Sequence, residues 1–208
     1  MTRNTITMVM MAALLAVGGT MAMANEVTES DGSSLEFMRE EEKLARDVYL
    51  ALGESWGVPV FENIARAEQQ HMDAVLGLLE ANGIEDPALG SGVFANEELQ
   101  RLYDDLIARG ETSLEEALSV GALIEEVDIE DLRQSIAATE DTDIAMVYER
   151  LLAGSYNHLR AFVSQLDRLG VDYEPVVLGE DSFDEIVEDS RGRRPGPGRG
   201  RGPGGRRS

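Results

Sequence analysis

Glu68 and His71 stand three residues apart within an apolar helical stripe that runs through Phe61, Ile64, Val75 and Leu78. Residues at that spacing share one face of an α-helix, about one turn apart. A carboxylate and an imidazole turned together into a helical core are costly to bury unless each finds a partner. A metal ion satisfies both at once, because these groups are ligands for iron, manganese and similar ions. Three further stripes carry an interruption of the same kind. Glu42 lies among Leu35, Met38, Ala45, Tyr49 and Leu52. Glu125, followed three residues on by Asp128, lies among Leu118, Ala122, Ile129, Leu132 and Ile136. His158, preceded by Ser155, lies among Ile144, Tyr148, Leu151, Phe162 and Leu166 or Leu169. Both histidines of the chain fall on these positions. One such residue is weak ground for a site, since Glu often falls near His in an acidic chain and a lone core histidine commonly just hydrogen bonds. Four interruptions near the middles of four stripes form a stronger pattern. Glu42, Glu68, His71, Glu125, His158 and Asp128 are the candidate ligands for one or two ions of iron or manganese. Tyr49, on the stripe of Glu42, is read as packing, with a hydrogen bond to a ligand as the alternative. Glu40 and Glu41, beside Glu42, are read as solvated charges, and Glu126, off its stripe, as exposed.

The elements that must carry these residues follow from the same periodicity. The first helix is expected from Leu35 to about Glu54, punctuated by Gly53, Gly57 and Pro59. The second starts at Pro59, which suits a first helical turn, and stops at Asn82-Gly83. A long connection over residues 83–111 holds a short helix from Asn96 to Arg109, closed by Gly110. Thr112 opens the third long helix, with Glu115 completing a capping box. Asp141 or Thr142 opens the fourth, and Gly170 ends it. No sustained alternation of period two marks a strand. The pattern specifies an all-α fold: a four-helix bundle whose long second-to-third crossover contains a short helix.

Composition divides the 208 residues further. Residues 1–24 read as a secretory signal peptide: Arg3, an apolar run from Met8 to Val17 too short to span a membrane, and Ala22-Met23-Ala24 before Asn25. That implies a periplasmic or secreted protein with no membrane association after cleavage. Residues 25–34 read as a flexible leader, 35–170 as the bundle, and 171–190 as an acidic extension with a short turn at Phe183–Ile186. Residues 191–208 hold only Arg, Gly, Pro and one Ser, a disordered tail with no apolar surface to bury. All 40 acidic residues lie between the two ends, against ten of the 18 basic ones. Such a body repels nucleic acid and anionic lipid and attracts cations. The absence of cysteine excludes disulfides, iron–sulfur clusters and thiolate zinc sites. Six of the nine methionines lie within residues 1–24, so no methionine-rich copper site remains.

Glu42-Lys-Leu-Ala-Arg46-Asp-Val-Tyr49 resembles the first-helix pattern of rubrerythrin-type ferritin-like proteins, in which a ligand Glu precedes Arg by four residues and Tyr by seven. The run from Phe61 to His71 is similar to their second-helix Glu-x-x-His segment. Gly121 to Leu132 and Ser155 to Phe162 resemble the later segments of a ferritin-like group of unknown function, domain-of-unknown-function family 2202. The resemblance covers roughly residues 35–169. It implies a ferritin-like four-helix fold and a carboxylate-rich site, with iron as the expected metal and peroxide- or oxygen-linked redox activity as the expected chemistry. One departure matters: the resemblance places Glu-x-x-His on the fourth helix, and this chain has Ser155 at the Glu position. Asp128 is the nearest substitute, and a single ion or an asymmetric pair is implied. A reading of a different class is a metal-free helical binding module of the cell envelope. There the buried carboxylates would pair with Arg46 or Arg160, and the Arg/Gly tail would contact an acidic partner.

Overall fold

The computed structural model describes residues 28–188. The signal peptide read over residues 1–24 and the tail read over 191–208 lie outside the described residues. Within them the chain forms six helices and no strand: α1 Glu29–Trp56, α2 Pro59–Ala81, α3 Glu97–Gly110, α4 Leu114–Ala138, α5 Thr142–Leu169 and α6 Glu180–Glu188. None is long and apolar enough to cross a membrane.

α1 packs along α2, and α4 along α5. The two pairs meet where α1 lies on α4 and α2 on α5, while α3 spans from α1 to α4. The buried apolar residues fall into two clusters. The larger takes the C-terminal half of α1, the N-terminal half of α2, α3, most of α4 and the C-terminal half of α5. The smaller takes Leu35 and Met38 of α1, Val75 and Leu79 of α2, Leu132 of α4, and Ile144, Tyr148 and Leu151 of α5. The ends that share a cluster fix the directions. α2 and α4 both run toward the small cluster, so the connection between them must travel back along the molecule, and α3 lies on that path. Glu42, Glu68 and His158 fall in sequence between the members of the two clusters. A polar layer therefore divides the core, at a place where each apolar side chain would contribute about 1.5–3 kcal/mol by burial.

Local signals set the ends of the helices. Gly57 closes α1 at φ 66°, a left-handed backbone that a Cβ disfavours, and its N–H bonds Gly53 O at 2.9 Å. Gly170 closes α5 in the same way at φ 77°. Asp141, rather than Thr142, caps α5, accepting from Asp143 N at 2.8 Å and Ile144 N at 3.1 Å.

Three boundaries differ from the sequence expectation. The leader expected over residues 25–34 is helical from Glu29. Thr28 accepts from Asp31 N at 3.0 Å, and Glu29 and Asp31 sit in the first turn, where the helix dipole favours acids. The cap of α4 is Ser113, which accepts from Glu116 N at 3.1 Å, while the Thr112 hydroxyl turns back to Arg109 O. The acidic extension is not an appendage: Leu178, Phe183, Ile186 and Val187 are buried in the large cluster. What holds this extension is Glu126, expected to be exposed and in fact 0% exposed. Its carboxylate accepts from Tyr173 Oη at 2.6 Å, from Val176 N at 3.0 Å, from Val177 N at 2.7 Å and from Leu178 N at 2.8 Å.

Candidate metal centre

Each of the four long helices delivers its interruption to one point. Glu68 stands in the middle. Its Oε2 lies 2.8 Å from His71 Nδ1, and its Oε1 lies 2.7 Å from His158 Nδ1. Glu42 Oε2 lies 3.2 Å from His71 Nδ1 on one side, and Glu125 Oε2 lies 3.5 Å from His158 Nδ1 on the other. The imidazole rings are stacked, with centroids 5.5 Å apart. Two triads result, Glu42–Glu68–His71 and Glu68–Glu125–His158, and within each the ligand atoms lie within 4.8 Å of one another. Glu68 belongs to both.

Asp128 is drawn into the same layer but not into either triad. It is 6% exposed, and its Oδ2 accepts from Ser155 Oγ. Ser155, at the position where the resemblance expects a glutamate, is thus a donor to a neighbouring carboxylate. Tyr49, read as packing with a hydrogen bond to a ligand as the alternative, donates from Oη to Glu125 Oε1 at 2.6 Å. Its place seven residues after Glu42 put it on the right face; the partner on α4 could not be read from α1 alone. Gly154 was also not singled out. A Cβ there would sit 2.5 Å from His71 Nε2 and 2.6 Å from Cε1, so the missing side chain is the space that the His71 ring occupies.

Without a metal the centre is held together by protons. Burial raises Glu42; His71 pulls it back and Glu68 pushes it up again, to about 7. Burial and the Glu68 charge raise Glu125, against the pull of His158 and Tyr49, also to about 7. Burial opposes ionisation of Glu68, but His158 and His71 outweigh it and hold this carboxyl down at about 2. Burial disfavours the imidazolium of His71, yet Glu42 and Glu68 raise it to about 12; Glu125 and Glu68 do the same for His158, to about 10. Positive charge is wanted at both Nδ1 positions, and two protons supply it.

The contacts fit a metal better than they fit those protons. Glu68 Oε1 and His158 Nδ1 are both buried and make no hydrogen bond, although only 2.7 Å separates them. Glu42 Oε1 is likewise buried without a partner. Groups so placed are aimed past one another, as ligands of a common ion are. Carboxylate and imidazole donors match iron or manganese in type. The arginines that a metal-free module would use are committed elsewhere. Arg46 pairs with Asp47 and Gln69, and Arg160 with Ile186 O and Asn157.

The two charges read as solvated beside Glu42 are buried. Glu40 is 6% exposed and its Oε1 accepts from Ala95 N at 2.8 Å; Glu41 is 2% exposed and faces α4. Their partners lie in the connection before α3 and on α4, far along the chain.

Fold and centre together define an all-helical protein with a buried carboxylate–histidine cluster able to hold metal. The profile of the uncharacterized protein domain DUF2202 matches residues 31–190, and the chain belongs to that family. It is 46% identical over 169 residues to the uncharacterized protein MJ0754 of Methanocaldococcus jannaschii, spanning 80% of this chain and 91% of that protein. It also superposes on the crystal structure of hypothetical protein MJ0754 from Methanococcus jannaschii with a TM-score of 0.77, at 44% identity, over 81% of this chain and 98% of the other.

Proposed function

We propose that this chain is an exported, ferritin-like metal-binding protein whose centre takes a pair of iron or manganese ions. The four long helices, with α2 and α4 parallel and a crossover between them, support a ferritin-like four-helix bundle. The observation that carries the metal reading is Glu68, whose two oxygens each face a different imidazole nitrogen, at 2.8 and 2.7 Å. One ion would take Glu42, Glu68 and His71, and the other Glu68, Glu125 and His158, with Glu68 as the bridge. With Ser155 where the resemblance expects a glutamate, the ions would be held by one carboxylate fewer on the α5 side. Ions of this kind would supply electron transfer toward oxygen or peroxide. The chain's own groups have plainer tasks. Tyr49 orients Glu125, Gly154 leaves room for His71, and the apolar clusters on either side keep bulk water out. Export rests on the leader pattern of residues 1–24, and the acidic surface favours the approach of cations.

The test is metal loading. Metal-free protein exposed anaerobically to Fe(II) or Mn(II) and then desalted should retain two ions per chain by elemental analysis. The manganese form should give an electron paramagnetic resonance spectrum of two coupled ions. A protein that retains neither metal contradicts the reading.

A further inference from the structure

Away from the centre, α6 and the connection that leads to it lie against the C-terminal part of α5 and leave a cleft of about 360 Å3. Its charge is of one sign. Asp167 comes from α5, Asp172 and Glu174 from the connection, and Glu180, Asp184 and Glu188 from α6. No basic side chain lines the cleft. Among the described residues none of these six carboxylates has an ion pair or a side-chain hydrogen bond. Elsewhere on the surface the acids are met by arginines of the body: Asp86 by Arg39, Glu62 by Arg66 and Glu116 by Arg109. Two aromatic rings also line the cleft, Tyr173 and Phe183, with centroids 5.9 Å apart.

Residues 191–208 supply what the cleft lacks: seven arginines and no acid. The lining of the cleft ends at Glu188, and Arg191, Arg193 and Arg194 follow three, five and six residues later. Even fully extended, six residues reach only roughly 20 Å, so these guanidinium groups stay near the cleft. A tether that short gives an effective concentration on the order of millimolar, which suits ion pairs that are weak one at a time. Guanidinium is the matching cation. It is planar, bidentate toward carboxylate, and stacks on rings such as those of Tyr173 and Phe183. We propose that the cleft is the docking site of the chain's own Arg/Gly/Pro segment, residues 191–208, held by Arg191, Arg193 and Arg194 on the carboxylates of the connection and of α6. The acidic partner of that segment is then the body that carries it. No residue of the metal centre takes part.

The experiment is amide NMR of the full-length chain, wild type against a variant with Arg191→Gln, Arg193→Gln and Arg194→Gln. The signals to read are those of Asp172 and Glu174, which line the cleft but lie far from the arginines in sequence. At low salt, about 20 mM, they should differ between the two proteins, and at about 500 mM, where exposed charges are screened, the difference should vanish. In a background of Glu180→Gln and Asp184→Asn, replacing the arginines should move the same signals much less. Dilution of wild type should leave them in place. Coincident signals at low salt would overturn the docking site. So would changes spread evenly over the acidic surface, including α3, since these would show attraction without a site. Signals that move on dilution would show that the segment docks on a second copy of the chain, and self-docking would fall.

Discussion

Glu125 and Glu126 are neighbours in sequence, both are buried, and they do opposite things. Glu126 turns toward the segment after α5 and is saturated with donors from Tyr173 and three successive backbone N–H groups. Glu125 turns into the layer between the two apolar clusters, where it meets Glu68, His158 and a single phenol. The same contrast separates Asp47, held by Lys43, Arg46 and Gly92, from Glu42 five residues earlier, one of whose oxygens has no partner. Burial of charge alone does not mark a functional site. Donor balance does: a carboxylate with its donors fastens chain segments together, whereas carboxylates crowded without them need a cation.

Changes on the saturated side should cost the most stability and leave metal content alone. Lys43→Met removes an ammonium that is 0% exposed, lies 2.7 Å from Asp47 and 3.0 Å from Val93 O, and leaves a buried carboxylate short of a donor. Denaturant titration should report a loss of about 3–5 kcal/mol, the usual cost of breaking a buried pair from one side. Glu126→Ala should cost about 3 kcal/mol, since three backbone donors and Tyr173 lose a charged acceptor. Either variant emptied of metal while still folded would erase the contrast.

The unsaturated side should respond to pH instead. Glu42 and Glu125 have folded values near 7, above their unfolded value of 4.5, so the metal-free fold favours their protonated forms. That stability is complete below the unfolded value and is lost as pH rises through about 7. His71 and His158 are raised as well, and their contribution is present below 6.5 and lost as pH rises through about 10 to 12. Only Glu68 runs the other way, losing its contribution as pH falls through about 2. The metal-free chain should therefore melt at lower temperature as pH rises from mildly acidic to mildly basic. A bound metal holds the deprotonated ligands, so the gain in melting temperature on loading should widen over the same range. A gain that shrinks with rising pH would contradict the ligand assignment. The smallest expected effect is at Gly154. A methyl group there pushes on the His71 ring, and Gly154→Ala should weaken metal binding about tenfold while moving the melting temperature little, a size typical of disturbing a group that positions a ligand. Unchanged affinity in a titration would show that His71 is free to move.

The stripes were legible in the sequence because each helix buries one face, and burial imposes its period directly on residue type. The interruptions were legible for the same reason: Glu68 and His71 break a pattern that Ile64 and Val75 keep. Glu41, Glu40 and Glu126 were not. Each lies beside a stripe, and the groups that bury it come from Asp131, Ala95 and the 173–178 segment, at separations no helical period encodes. The early start of α1 was encoded, in the Thr28–Asp31 cap, and so was α6, in Phe183, Ile186 and Val187 at helical spacing. Both signals are short, and the strongly acidic composition around them read as solvated chain.

The central claim is that Glu68 bridges two ions. Metal-reconstituted Glu68→Ala and Glu126→Ala, desalted and analysed beside wild type, test it most directly. Glu68→Ala should retain at most a trace of the two ions that wild type holds, and Glu126→Ala, where it folds, should retain both. A Glu68→Ala protein that keeps its full complement, or a wild type that holds no iron or manganese, would contradict the account.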